Sequence, residues 1–504
     1  MSEISNAIDW INTNILWGIP MVVIIIGTGI FLTTKAGFIQ VRKFKDSLKT
    51  TIIPTIKNIF KGDKKKKTGK NSGISQFEAF SAAISGTVGT GNIVGVAGAM
   101  ISGGPGAVFW MWVSAFFGMF TNYSENVLGL YFRKKDEDGG FSGGPMYYLE
   151  HGTKSKLLAK IFAFCCTFTA IGMTMVQTNS ISETIQNLSD KESSKPVIAL
   201  ITGIVVASFT ALIIMGGIKK IGRVASMIVP FMALLFIILA FVIIGANITS
   251  VPGAFLLIFE SAFSTKAVGG GLLGVMIMRG MRFGCARGVF SNEAGLGSSV
   301  IAHSASETRE PVQQGLWGIF GVFFDTFVIC TITAISIICT SEYDFTDIIG
   351  NAAAGLNKNA VASHAMGETF GLFGTVMYSI ILPLFAFTTV LAWSYYGEKA
   401  VEYLFGSRSG KIKIIYKVIY VLLIVVGAVI TSDLVWSLDD MFNAAMAIPN
   451  LIGLISLSGL ICKITKNYYD RKSGLNIEPM LSAYPEMNEE FKKDIARMKS
   501  ENKN

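Results

Sequence analysis

The strongest constraint on this chain is a succession of apolar runs, each near the length at which a helix crosses about 30 Å of hydrocarbon. Ile15–Thr34, Lys195–Met215 and Ile228–Ile248 are three of them. Charged residues make up only 15% of the sequence, against about 25% in an ordinary soluble domain. That balance excludes disorder, argues against a freely soluble enzyme, and points to an all-α polytopic membrane protein.

Apolar period and length give eleven expected transmembrane helices. Ile15–Thr34 comes first, and the start MSEISNAIDW has no basic region before it, so it is expected to be a retained helix rather than a signal peptide. It is followed by 77–101, 107–132, 157–188, 196–215 and 226–246, then by 287–303, 315–340, 370–396, 416–431 and 441–463. With successive loops on alternate sides, 36 of the 43 lysines and arginines fall on one side. The positive-inside rule makes that side cytoplasmic, with the N-terminus outside and the C-terminus inside. The net charge of +9 is thus a topology signal, and no nucleic-acid partner is expected.

The expected organisation is an outer N-terminus with one extra helix (1–34), a basic cytoplasmic segment (35–76), a five-helix repeat (77–250), an outer loop or re-entrant helix (251–286), a second five-helix repeat (287–463) and a cytoplasmic tail (464–504). Phe38–Phe60, with the lysine run Lys64–Lys67, reads equally as a helix drawn to anionic membrane lipid or as a solvated linker. Ser341–Gly367 is a long outer loop and a candidate lid. Ala267–Ala286 is apolar but carries Arg279 and Arg282, and a crossing there would move every later basic loop outside. It is therefore expected to be an outer-surface or re-entrant helix packed on the body. The six cysteines show no metal spacing, the three histidines are scattered, and no phosphate-cradling Gly-rich loop is present, so an enzyme is not expected.

Two segments interrupt the apolar pattern. Ile84–Ala99 reads ISGTVGTGNIVGVAGA, and a glycine inside a helix costs about 1 kcal/mol relative to alanine. Several together favour an unwound turn, whose freed N–H and C=O groups are tolerable at membrane depth only where they line a cavity or bind something. Close helix packing explains Gly91 and Gly95 as well, but not Thr87, Thr90 and Asn92 in the same turn. Gly288–Val300, GVFSNEAGLGSSV, is the second such segment. Two broken helices five spans apart are the signature of an inverted repeat of five plus five helices, as in secondary transporters.

GTGNIVGVAGA, then GGPGAVFWMW (Gly103–Trp112), GGPMYYLEHG (Gly143–Gly152), MVQTNS (Met175–Ser180) and FSNEAGLGS (Phe290–Ser298) resemble, in order, the alanine/glycine:cation symporter family. The resemblance implies a leucine-transporter-type fold and sodium-coupled uptake of a small amino acid, alanine or glycine, across the cell membrane. Carried over by position, it implies that Thr90, Gly91 and Asn92 hold the substrate carboxylate. Phe290, Ser291 and Asn292 would meet the substrate from the second break, Gln177 would reach its polar groups, and Trp393 would wall the pocket. Trp393 also fits an interfacial aromatic. For Na⁺, the resemblance implies a site built from the carbonyls of Ser85, Val88 and Phe385 with the hydroxyls of Thr388 and Thr389. The two threonines fit equally the ordinary bond to the carbonyl one turn back.

Glu125, Glu293 and Asp325 are acids at membrane depth, where ionisable groups are costly and functional by default. They are expected to fix helix positions, to pair with Arg279, Arg282 or Arg287, or to carry a proton. The last role would replace sodium coupling with proton coupling. A channel or a substrate sensor built on the same breaks is the alternative class.

Overall fold

A computed structural model describes residues 10–61, 73–136, 140–189, 191–263, 272–340, 358–406, 410–430 and 432–501. The lysine run at 64–67, the first residues of the 267–286 segment and most of the expected lid (341–357) lie outside the described residues. The first helix, α1 (Ile19–Lys35), starts with a proline at its first turn, where no intrahelical N–H is needed. A capping box between Ser75 and Glu78 opens α2 (Gln76–Thr87). After a 3₁₀ turn at Thr90–Asn92, α3 (Val94–Gly103) follows.

Four helices come next: α4 (Gly106–Tyr131), α5 (Lys156–Gln186), α6 (Lys195–Ile214) and α7 (Gly217–Ala246). The second set opens with α8 (Leu272–Asn292), which ends in an irregular stretch before the single turn Val300–His303. It continues with α9 (Pro311–Thr340), α10 (Leu372–Phe405), α11 (Gly410–Val429) and α12 (Ser432–Ser456). Two more helices, α13 (Ser458–Lys472) and α14 (Pro485–Glu501), close the described chain.

The outward faces are apolar. On α6, Val197, Leu200, Ile201, Val205, Phe209 and Leu212 are exposed, while Thr202, Ala207 and Thr210 point inward. Large apolar residues outside with small and polar ones inside is the reverse of a soluble helix and fits lipid as solvent. By length and composition, seven described helices can cross a membrane, and nine when the bent pairs α3–α4 and α12–α13 are each counted as one span. The expected count of eleven is not reached by this measure: α2 has only 12 residues, and α8, though 21 residues long, carries Arg279, Arg282 and Arg287.

Two boundaries differ from the sequence reading. The expected outer-surface element ending at Ala286 and the span starting at Arg287 form one helix, α8. Arg282 fits within it by donating from Nε to the Trp17 carbonyl at 3.1 Å. The last span begins at Ser432 rather than Met441, which brings Asp439 and Asp440 inside α12.

The segment after α1 forms short helices that pack on α9. Ser47 donates to the Leu316 carbonyl at 2.7 Å, and the Phe44 ring meets Phe323 edge-on at 5.0 Å. Its other face leaves Val41, Ile53 and Ile56 exposed. The tail, without a readable motif in sequence, docks through α14. Phe491 is fully buried against Phe141, and Arg309 pairs with Asp494 at 2.9 Å.

Candidate functional site: two interrupted helices held by one carboxylate

The first interruption follows from where two amides send their hydrogens. In a continuing helix the Gly89 N–H would close on the Ser85 carbonyl and the Thr90 N–H on the Gly86 carbonyl. Instead Gly89 donates to Asn92 Oδ1 at 2.9 Å and Thr90 donates to Gln177 Oε1 at 3.3 Å. The last regular bond runs from Val88 to Ile84 at 2.7 Å. Carbonyls at the end of α2 are thereby released, as at any helix C-terminus, but here inside the molecule.

The second interruption uses the same device. Glu293 makes the last helical bond, to Val289 at 2.8 Å. The Ala294 N–H then turns to Asn292 Oδ1 at 3.0 Å, and the Gly295 N–H goes to Glu125 Oε1 at 3.0 Å. The carbonyls of Phe290 and Ser291 lose their helical partners. Glu293 sits at φ 56°, and Gly295 and Gly297 at φ 93° and 79°. Left-handed backbone is natural for glycine and uncommon for glutamate, so Glu293 is held there by its surroundings. One tie is the bond from Ser298 Oγ to Glu293 Oε2 at 2.6 Å.

The two breaks lie side by side. A Cβ placed on Gly91 would stand 3.5 Å from the Phe290 ring and 3.6 Å from Ser291 Cα. Asp325, in the π-helical stretch Phe323–Cys330 of α9, bridges them. Its Oδ1 accepts from Asn92 Nδ2 at 2.6 Å, and its Oδ2 accepts from Ser291 Oγ at 2.9 Å and from Thr326 Oγ1 at 2.9 Å. Thr326 also accepts from Asn292 Nδ2 at 3.0 Å. Glu125 on α4 holds the far side of the second break together with Asn450, whose Nδ2 donates to Glu125 Oε1 at 2.6 Å and to the Gly295 carbonyl at 2.9 Å. The three acids therefore bond amides and hydroxyls. Two of the three arginines expected as their partners are engaged elsewhere: Arg287 pairs with Asp440 at 2.9 Å, and Arg282 with a backbone carbonyl.

Thr389 and Gln177 reach the first break. Gly89 faces α10 so closely that any side chain there would collide with Thr389 Oγ1. Thr388 and Thr389 both donate to the Phe385 carbonyl, at 3.0 and 3.1 Å. A hydroxyl that gives its proton to a carbonyl still turns its lone pairs outward, so this bond and cation binding are compatible. Gln177 reaches the same place from α5, with Nε2 resting on Met173 Sδ at 3.5 Å. Trp393 is fully buried rather than interfacial, packed on Tyr396 at 5.2 Å. Its indole lies beside the Glu293 carboxyl, although neither Trp393 Nε1 nor Glu293 Oε1 makes a hydrogen bond of acceptable geometry.

Above Phe290 stands a second layer. The Arg287 guanidinium lies over the Phe290 ring at 5.2 Å, and Phe290 meets the Trp436 ring at 5.8 Å. Next to it opens a cavity of about 360 Å³ lined by Trp17, Arg279, Arg282, Arg287 and Asp440 among others. The expected substrate and cation residues themselves are buried, Thr90, Asn92 and Thr388 completely.

Sequence reasoning marked Asp325 as notable but could not see that it joins the two breaks, because a contact across 233 positions leaves no local pattern. It missed Asn450 altogether, and Asp439 and Asp440 lay just beyond the apolar run that defined the last span.

Two interrupted helices meeting side by side, each followed by four further long helices, define a multi-pass membrane protein with a leucine-transporter-type fold. A solved structure described as MhsT in complex with L-phenylalanine shares this fold, with a TM-score of 0.52 at 15% identity over 79% of this chain and 99% of that one. The chain belongs to the sodium:alanine symporter family, whose model matches residues 1–480. It is 43% identical over 471 residues to the sodium/alanine symporter AgcS of Methanococcus maripaludis, covering 92% of this chain and 97% of the relative. It is also 35% identical over 473 residues to a Bacillus subtilis protein described as a probable sodium/glutamine symporter, GlnT, covering 94% and 92% respectively.

Proposed function

We propose that this chain carries a small neutral amino acid, alanine or glycine, into the cell together with Na⁺ by alternating access. The observation that carries this reading is the pairing of Gly91 with Phe290 and Ser291, which sets two unwound main-chain segments against one another. A zwitterion needs N–H donors for its carboxylate and carbonyls for its ammonium, and one broken helix supplies each. Thr90, Gly91 and Asn92 take the carboxylate, displacing the bond between Thr90 and Gln177. Phe290, Ser291 and Asn292 take the ammonium, and Trp393 limits side-chain size.

Na⁺ is held by the carbonyls of Ser85, Val88 and Phe385 with the hydroxyls of Thr388 and Thr389, a reading supported by the close approach of Gly89 to Thr389. The Arg287–Asp440 pair over Phe290 closes the site on the outer side, with the N-terminus outside and the C-terminus cytoplasmic. Membrane lipid contacts the exposed apolar faces and the basic segment after α1.

A second reading, proton coupling with broader substrate range, is favoured by the three fully buried acids at the breaks, Glu125, Glu293 and Asp325. Radiolabelled alanine uptake into proteoliposomes, driven separately by a sodium and a proton gradient and competed by a panel of amino acids, distinguishes the two. Sodium-driven uptake blocked by alanine and glycine supports the first reading. Uptake driven by protons alone, or blocked best by large side chains, supports the second.

A further inference from the structure

A second cluster of buried polar groups lies outside the paired breaks. Asp439 and Asn443 stand four residues apart on α12, on one face of the helix, and both are completely buried. All four of their side-chain polar atoms, Asp439 Oδ1 and Oδ2 and Asn443 Oδ1 and Nδ2, have no hydrogen-bond partner. Buried polar groups are almost always paired, and a buried carboxylate without compensation is among the most costly groups a fold can hold. A ligand is needed to complete the cluster.

The surroundings fix its size and charge. Helix α5 crosses directly over Asp439: a Cβ on Gly172 would stand 2.9 Å from Asp439 Oδ1 and 3.2 Å from its Cα. One turn away, Phe442 stacks on Phe168 at 5.0 Å. So close an approach leaves no room for an amino acid beside Asp439 and restricts any occupant to a small ion. The neighbouring acid, Asp440, already pairs with Arg287 at 2.9 Å, and the Asp439 carboxylate makes no hydrogen bond of its own among the described residues. A proton on Asp439 alone would remove its charge but leave Asn443 Oδ1 without a partner. An ion lying between their oxygens serves both, because a hard cation binds each oxygen separately.

We infer that Asp439 and Asn443, facing α5 at Gly172, form a second site for a monovalent hard cation, Na⁺, distinct from the oxygens of Thr388 and Thr389. The inference rests on the sodium-coupled reading above and adds an ion to it. It also ties that ion to the outer pair. With Asp439 neutralised by a cation, Arg287 belongs to Asp440 alone and stays over Phe290. Without it, two adjacent carboxylates compete for one guanidinium.

The test is direct binding of radioactive Na⁺ to the purified full-length protein, alongside sodium titration of alanine uptake. Asp439→Asn keeps the shape and removes the charge; Asn443→Ala removes the amide oxygen. Relative to wild type, Asp439→Asn is expected to bind one Na⁺ fewer per chain and to raise the half-maximal sodium concentration by about tenfold or more, equivalent to 1.4 kcal/mol. Asn443→Ala is expected to raise it several-fold, and Thr389→Ala to remove a separate ion, so that the Asp439→Asn/Thr389→Ala double variant binds none. Unchanged ion count and sodium dependence in Asp439→Asn and Asn443→Ala overturn the inference. So does an Asp439→Asn variant that keeps its sodium count and loses only the pH dependence of uptake. A wild-type protein that binds no sodium overturns the coupling reading itself.

Discussion

Asn92 Nδ2 donates to Asp325 Oδ1 at 2.6 Å, tying the first interrupted helix to the π-helical stretch of α9. The other oxygen of that carboxylate takes Ser291 from the second interrupted helix at 2.9 Å. One side chain thus sets the distance between the two breaks, and whatever moves Asp325 moves both.

Replacing Asp325 by alanine leaves Asn92 and Ser291 without their acceptor, at a cost of about 1–3 kcal/mol for each buried group. We expect a lower Tm and uptake reduced about 10- to 100-fold. Asp325→Asn should recover most of the Tm, because its amide oxygen still accepts from Asn92 and the Ser291 hydroxyl can reverse to accept from its NH₂. Thermal unfolding of the two variants side by side checks this; equal losses would mean that the charge, not the bridge, stabilises the site.

Gly89→Ala drives a methyl group into Thr389 Oγ1, and overpacking of this kind costs about 1–3 kcal/mol. In the double variant with Thr389→Ala, the next atoms stand at 3.5 Å, ordinary contact distance. The Tm should therefore return toward wild type while sodium-dependent uptake stays lost, since the Thr389 hydroxyl is gone. Recovery of uptake along with stability would remove Thr389 from the cation site.

Phe491 is fully buried between the Phe141 ring and the Arg309 guanidinium, at 5.9 and 4.7 Å. Truncation to alanine costs about 3–5 kcal/mol of local stability and should release α14. Limited proteolysis should cut Phe491→Ala after about residue 484 well before wild type, with the membrane body intact.

Much of this architecture was legible because hydrophobic run length reports directly on membrane spans, and because glycine and asparagine in such runs report on broken helices. The turns at Gly89 and at Glu293–Gly297 fall where ISGTVGTGN and FSNEAGLGS place them. Two limits were physical. Arg279 and Arg282 made the start of α8 read as a surface element, yet Arg282 is accommodated by a backbone carbonyl at the helix flank. Asp439 and Asp440 made the start of α12 read as loop, because hydropathy cannot show that Arg287, 153 positions earlier, neutralises one of them. Contacts such as Asn450 with Glu125 depend on tertiary arrangement alone.

The most direct measurement is alanine uptake into proteoliposomes with and without an imposed inward sodium gradient, for wild type, Asn92→Ala and Thr389→Ala. The account predicts accumulation only with the gradient in wild type. For the variants, which should remain folded and monodisperse, it predicts a loss of about tenfold or more, the scale of one charge-assisted hydrogen bond. Accumulation without sodium, or full uptake by both variants, would contradict it.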